Sequence, residues 1–238
     1  MGIASTTLSV RIGLPHGPTF PQETTFSLLG TLSQCLTMGI PFGIAHVSGS
    51  SIVTDARNRV VDKFLKTDAS RLFWIDSDMQ WKPDDFVRLL ALTTEVDVVC
   101  AAYAHKTDKC ELSIKHKDLR TFDLHKHGLV KIDGAGLGFC CMKREVVEKV
   151  VETKRLVYDG LSESWMADVF RTDTHTDNEG RERPRGEDMA FFADIIELGY
   201  DVWLDPTICL GHVGSKVYSA NPIEALRLKE VFQGAAVS

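Results

Sequence analysis

The sequence predicts a single α/β domain, built on a mostly parallel central sheet flanked by helices and carrying a mobile loop or lid. Its 238 residues suit one large domain better than two full ones. Over the first two-thirds of the chain, short apolar runs alternate with amphipathic stretches, the pattern of βα units. Apolar residues make up 44% and charged residues 25%, the balance of an ordinary soluble globular protein with enough apolar material for an unstapled core.

The elements follow in order. Residues 8–14 read as a strand ended by Pro15, and a loop rich in proline and glycine (Pro15, Gly17, Pro18, Pro21) leads to a helix over about 24–38. Residues 42–47 form a second strand. After Ser48-Gly49-Ser50-Ser51, a helix carries Ile52, Ala56, Val60 and Phe64 at helical spacing. The run Arg71–Ile75 is a buried strand that ends directly on Asp76. Pro83 followed by Asp84-Asp85 starts a helix to about Leu92, since proline suits the first turn and acids complement the dipole. Residues 96–102 are another strand, and 103–127 are polar without a clear pattern. The apolar, glycine-rich stretch 134–142 reads as a strand and 143–151 as a helix. Residues 152–185 carry many charges and little periodicity, hence a long functional loop or lid. A helix over 187–198 is closed by Gly199. Short strands at 201–204 and 208–210 flank Pro206, and 222–232 form a helical tail.

Several function classes are disfavoured. A formal charge of −6 gives no global attraction to nucleic acid or anionic membrane. No run approaches the ~20 apolar residues of a membrane span, and the chain does not open on a basic segment followed by an apolar one. The six cysteines (Cys35, Cys100, Cys110, Cys140, Cys141, Cys209) form no CxxC pair and no zinc spacing. They read as reduced thiols, several of them buried, which points to a reducing compartment, the cytoplasm.

Four groups could carry chemistry. Asp76-Ser77-Asp78 follows an apolar strand, where ligands gather in open α/β sheets. Two carboxylates there repel unless a cation or ligand hydroxyls compensate, and hard oxygen ligands suit Mg2+ or Mn2+ bridging to substrate phosphates. The same triplet also makes a good turn. Glu187 and Asp188 open an amphipathic helix, where an acid either caps the end or faces a cleft as a general base. His212, between Gly211 and Gly214, is either structural or a third ligand beside carboxylates. In Asp55-Ala56-Arg57-Asn58, Arg57 either grips phosphate near a helix start or pairs with Asp55 or Asp62 in solvent.

The order of these segments resembles the GT-A fold nucleotide-sugar transferases, particularly the glycosyltransferase family 2 type. The matching pieces are VRIGLP from Val10, TDARN from Thr54, LFWIDSDM from Leu72, GAGLGFCCMKREVV from Gly134, GEDMAFFADIIELGYDVWLDP from Gly186 and LGHVG from Leu210. The resemblance implies a metal-dependent transfer of sugar from a nucleotide-diphosphate donor, a UDP-sugar, to an acceptor hydroxyl. It implies that Pro15, Asp55, Arg57, Asp76 and Ser77 serve the donor, with Arg57 along the diphosphate. Asp78, His212 and Asp76 would hold Mn2+ or Mg2+. Gly136, Leu137 and Gly138 would line the acceptor side, Asp188 would be the base of an inverting reaction, and Glu187 would contact donor or acceptor. Trp165 in the lid would stack on a sugar or pack. Residues 1–103 would form a nucleotide-binding half, 129–221 an acceptor and catalytic half containing the loop 152–185, and 222–238 a tail. The loop after the first strand is longer and richer in proline than the family pattern. The acceptor stays open among carbohydrate, protein, small molecule and modified DNA base. Alternatives are a phosphohydrolase of the haloacid-dehalogenase type, a nucleotidyltransferase and a sugar-binding module without turnover.

Overall fold

The computed structural model describes residues 8–109, 111–116, 122–177, 179–229 and 232. Strand β1 (Val10–His16) leads through helix α1 (Gln22–Met38) to β2 (Phe42–Ser48) and α2 (Val53–Leu65). Next come β3 (Arg71–Ile75), the two-residue β4 (Met79–Gln80), α3 (Pro83–Leu92) and β5 (Val98–Cys100). Then follow β6 (Ile114–Lys115), β7 (Val130–Ile132), β8 (Gly134–Ala135), β9 (Phe139–Lys143) and α4 (Arg144–Glu152). Four short strands succeed them: β10 (Leu156–Asp159), β11 (Ser164–Ala167), β12 (Asp173–Thr176) and β13 (Glu182–Arg185). Last come α5 (Glu187–Glu197), β14 (Val202–Leu204), β15 (Gly211–Val213), β16 (Val217–Ser219) and the short α6 (Pro222–Ala225).

Seven strands form the central sheet in the order β2-β1-β3-β9-β5-β14-β7. Strand β1 runs parallel to β2 and β3, and β14 parallel to β5. Strand β9 opposes both β3 and β5, and β7 opposes β14. Five of the seven therefore share one direction, so the sheet is mostly parallel. Residues of β3 alternate between two cores. Leu72 and Trp74 pack with the buried residues of α2, α4 and α5, whereas Phe73 and Ile75 pack with those of α1 and α3. Burial on both faces is why this strand reads as an unbroken apolar run. Each such large side chain contributes roughly 1.5–3 kcal/mol.

Some boundaries differ from expectation. Pro15 does not end β1, which continues to His16 with Pro15 opposite Val47. The ladder with β3 has already stopped at Gly13, so Pro15 lies where that side of β1 has no partner strand to lose a bond to. Ile52 precedes α2 as its N-cap and is 61% exposed, leaving Ala56, Val60 and Phe64 as the buried stripe. The stretch 134–142 is two strands, β8 and β9, separated by a turn at Gly136–Gly138. Residues 208–210 are not a strand; pairing begins at Gly211.

The expected loop 152–185 is largely two antiparallel hairpins, β10–β11 and β12–β13. The four-residue strands of the second carry charge where a sheet core would be apolar, and those of the first are too short to show a period. Charge sets the second register: Asp173 opposite Arg185 accepts two hydrogen bonds from it, both 2.7 Å. The tail expected at 222–232 is helical over Pro222–Ala225, and residues 230–231 lie outside the described residues. Cys35, Cys100, Cys140 and Cys141 are buried free thiols and Cys209 is an exposed one, whereas Cys110 lies outside the described residues. No helix among the described residues is long and apolar enough to cross a membrane.

Candidate active site

The carboxyl ends of β1, β2 and β3 open onto a cavity of about 280 Å³, lined among others by Pro15, His16, Ser50, Ser51, Asp76, Ser77 and Asp78. Larger cavities lie elsewhere, one of about 420 Å³ beside Lys131, Asp133 and Asp201. The smaller one is set apart by its place at the strand ends, where Asp76-Ser77-Asp78 lines it.

Its floor is Arg57. On α2 this residue falls on the same face as Val60, Val61 and Phe64, so helical periodicity carries a guanidinium into the core, 3% exposed. Its Nη2 lies 3.2 Å from Asp76 Oδ1 and 3.1 Å from Asp188 Oδ1, and its Nε lies 3.8 Å from Glu187 Oε1. The rings of Trp74 and Phe170 stand 5.7 and 5.8 Å from the guanidinium carbon. Burial opposes the charge of Arg57, but the carboxylates outweigh it and keep the group protonated. Burial pushes the Asp76 carboxyl above its ordinary value, Arg57 opposes this, and the charges of Asp188 and Asp78 add to it. Asp188 is raised too, by burial and then by Glu187, with Arg57 and a backbone hydrogen bond pulling the other way.

That backbone bond comes from the turn between β8 and β9. Leu137 N–H donates to Asp188 Oδ2 at 3.2 Å, and Asp76 N–H donates to Gly138 O at 3.1 Å. One tight turn thus fixes both acids. Its glycines are required by Tyr103: a Cβ on Gly136 would lie 2.0 Å from Tyr103 Oη, and one on Gly138 2.8 Å from Tyr103 Cε1. Asp188 is not a helix cap here. The cap position of α5 is Gly186, no side-chain hydrogen bond closes that end, and the Asp188 carboxylate points to Arg57 and Leu137 instead.

The rim holds a second pair. Strand β4 pairs antiparallel with β15, setting His212 opposite Met79, and Val213 N–H donates to Asp78 O at 2.7 Å. His212 Nε2 lies 3.4 Å from Asp78 Oδ2, while Nδ1 lies 2.9 Å from Ala104 O. A carbonyl only accepts, so Nδ1 carries the hydrogen and Nε2 is left facing the carboxylate. Lys106 Nζ donates to the same Asp78 oxygen at 2.6 Å. Burial works against ionisation of Asp78, but hydrogen bonds from His212 and Lys106 outweigh it and hold the carboxyl at about 2.

Among the described residues, no group of three or more His, Cys, Asp or Glu side chains gathers closely enough to hold a metal ion. Asp76, expected to share a metal with Asp78 and His212, turns its Oδ1 to Arg57. Asp78 and His212 still fit a divalent ion as a pair. They offer a carboxylate and an imidazole nitrogen whose partner nitrogen is bonded to a backbone carbonyl, the usual support of a ligating histidine. Mg2+ and Mn2+ commonly complete such shells with water and substrate phosphates.

Of the other residues singled out in the sequence, Pro15, Ser77, Asp76 and Asp78 line the cavity, and Glu187 and Asp188 are linked to it through Arg57. Asp55 turns aside, accepting from Ser50 Oγ at 3.0 Å and pairing with Arg59 at 3.0 Å. Trp165 stands on β11, 64% exposed, edge-on to Tyr158 and away from the cavity lining. Three residues escaped sequence reasoning: His16, Tyr103 and Lys106. The last two follow β5 directly, and the rule that ligands gather beyond strand ends was the signal available for them.

No protein-family model and no curated protein matches the sequence. Solved structures do. The crystal structure of A197 from STIV superposes with a TM-score of 0.57 at 22% identity, covering 90% of each chain. That of GalNAc-T7 with UDP, GalNAc and Mn2+ superposes at 0.51 and 10% identity, over 88% of this chain and 44% of that one. The fold is GT-A. A glycosyltransferase involved in the glycosylation of the major capsid of PBCV-1 is also similar. It shares 14% identity over 60% of this chain and 64% of that one, and its TM-score of 0.32 is too low to bear on the fold.

Proposed function

We propose that this chain is a metal-dependent glycosyltransferase that moves a sugar from a nucleotide-diphosphate donor, a UDP-sugar, to an acceptor hydroxyl with inversion. The observation that supports this most is the sharing of one buried cation by acids from two places. Asp76 from the end of β3 and Asp188 from the start of α5 both pair with Arg57, and Asp76 lines a cavity together with Asp78, which faces His212. Pro15, Asp76 and Ser77 form the donor side, supplied by residues 1–103. The Gly136–Gly138 turn, Glu187 and Asp188 form the acceptor side, supplied by 129–221. The similar structure of GalNAc-T7 contains UDP, GalNAc and Mn2+, which supports this choice of donor class.

In this reading Asp78 and His212 hold Mn2+ or Mg2+, which when bound neutralises charge on the leaving diphosphate. Asp188 takes the acceptor hydroxyl proton as that oxygen attacks the anomeric carbon, and the bond to the diphosphate breaks on the opposite face. Burial raises the Asp188 carboxyl and so makes it more basic, Arg57 works against that rise, and Leu137 N–H fixes its orientation. The acceptor is a carbohydrate, protein, small molecule or modified DNA base, and Trp165 on its exposed hairpin is the acceptor-side candidate farthest from the floor. The five free thiols support a reducing, cytoplasmic setting. A phosphohydrolase would need Asp76 as nucleophile, and its Oδ1 is engaged by Arg57.

The test is a thermal-shift screen of nucleotide-sugars with and without Mn2+. Stabilisation should require donor and metal together, about 2.7 kcal/mol at a donor concentration one hundred times its Kd. Stabilisation by no nucleotide-sugar in the presence of Mn2+ overturns the reading.

A further inference from the structure

The candidate metal position already meets a cation belonging to the chain. Lys106 Nζ lies 2.6 Å from Asp78 Oδ2, the oxygen that also faces His212 Nε2 at 3.4 Å. Nδ1 of His212 is committed as a donor to Ala104 O, which leaves Nε2 facing the Asp78 carboxylate. The Lys106 ammonium therefore sits on the very carboxylate oxygen that the imidazole faces. The lysine is seated rather than loose: a Cβ on Gly214 would come 3.1 Å from Lys106 Cδ, so its stem runs against the bare backbone after β15. It is also able to leave, being 38% exposed on a flexible four-carbon stem.

We propose that Lys106 is a tethered counter-cation that competes with the divalent metal for Asp78 and is drawn off it by the donor diphosphate, so that metal binds tightly only with donor present. This rests on the reading of Asp78 and His212 as metal ligands. A divalent ion and an ammonium cannot share one carboxylate oxygen without repulsion, so the metal must displace the ammonium. A diphosphate offers the displaced ammonium new oxygen partners, which makes metal and nucleotide binding mutually reinforcing.

Mn2+ binding, followed through the electron paramagnetic resonance signal of the free ion, separates the possibilities. The proteins are wild type, Lys106→Met, which keeps the stem without the charge, and Lys106→Arg, which keeps a charge; circular dichroism verifies that each is folded. Without nucleotide, Lys106→Met should bind Mn2+ at least about tenfold tighter than wild type, and Lys106→Arg should stay near wild type. Added UDP should tighten Mn2+ binding by a larger factor in wild type than in Lys106→Met. Equal Mn2+ affinities of wild type and Lys106→Met overturn the competition while leaving the metal site standing. An equal gain from UDP in both overturns the coupling. Failure of either protein to bind Mn2+, with or without UDP, overturns the metal reading and the competition with it.

Discussion

Replacement of Arg57 by methionine should leave three acids without their shared counter-charge. The guanidinium nitrogens lie 3.2, 3.1 and 3.8 Å from Asp76, Asp188 and Glu187. At an effective dielectric of about 20, each contact is worth roughly 4–5 kcal/mol of Coulomb attraction before desolvation is counted. Desolvation absorbs most of that sum, and removing one partner of a buried ion pair typically costs about 3–5 kcal/mol net. Burial already holds Asp76 and Asp188 above their ordinary values, and loss of Arg57 raises them further. A raised carboxyl binds its proton more tightly folded than unfolded. The penalty is therefore complete above the folded values and shrinks as pH falls through them. Urea unfolding read by tryptophan fluorescence should show the full loss near about pH 8 and a smaller one near about pH 5. Trp74 is a suitable reporter, its ring 5.7 Å from the guanidinium carbon. A loss under about 1 kcal/mol, or one equal at both pH values, would refute the electrostatic account of this floor.

Asp188→Asn should lower kcat by about 10²- to 10⁴-fold while calorimetry finds donor binding unchanged; lost donor binding would move Asp188 to the donor side. In the unsubstituted enzyme the acid limb of kcat/KM should fall above the ordinary carboxylate range, because the base is lost on protonation and its carboxyl is raised. Gly136→Ala places a Cβ 2.0 Å from Tyr103 Oη and should cost about 1–3 kcal/mol in denaturant unfolding, together with activity. Unchanged stability would mean that Tyr103 swings away freely. Trp165→Ala should leave stability within about 0.5 kcal/mol, the side chain being 64% exposed, and raise the acceptor KM. An unchanged acceptor KM would remove Trp165 from the acceptor side.

The sheet and its helices were legible where burial is two-sided or a boundary residue is explicit. Arg71–Ile75 and Pro83–Leu92 match the expected limits because one is apolar on both faces and the other begins on proline. The hairpins β10–β11 and β12–β13 were not legible: the first has strands of only four residues, and the second is held by ion pairs such as Asp173 with Arg185 where a periodic pattern would be apolar. The acidic residues of the site could be listed from the sequence, but their pairing could not. Asp76 meets Arg57 and not Asp78's partner His212, a choice made by α2 packing against β1 and by β4 pairing with β15. Arg57 itself left a trace, a charged residue one turn before Val60 and Val61 on the apolar face of its helix. Lys106 left none beyond its place after a strand.

Strand β9 has a consequence for how the chain is made. It lies between β3 and β5, although both of those precede it in the sequence by a wide interval. Until residues 139–143 have left the ribosome, β3 and β5 each present a bare, apolar edge, the kind of template on which nascent chains associate. The counter-charges of Arg57 at Glu187 and Asp188 arrive later still. A fragment ending at residue 103 should therefore be insoluble when expressed alone and recoverable when co-expressed with residues 104–238. The cavity lining is made by residues 15–78, but the acids that share Arg57 with Asp76 are supplied only by the last third of the polypeptide.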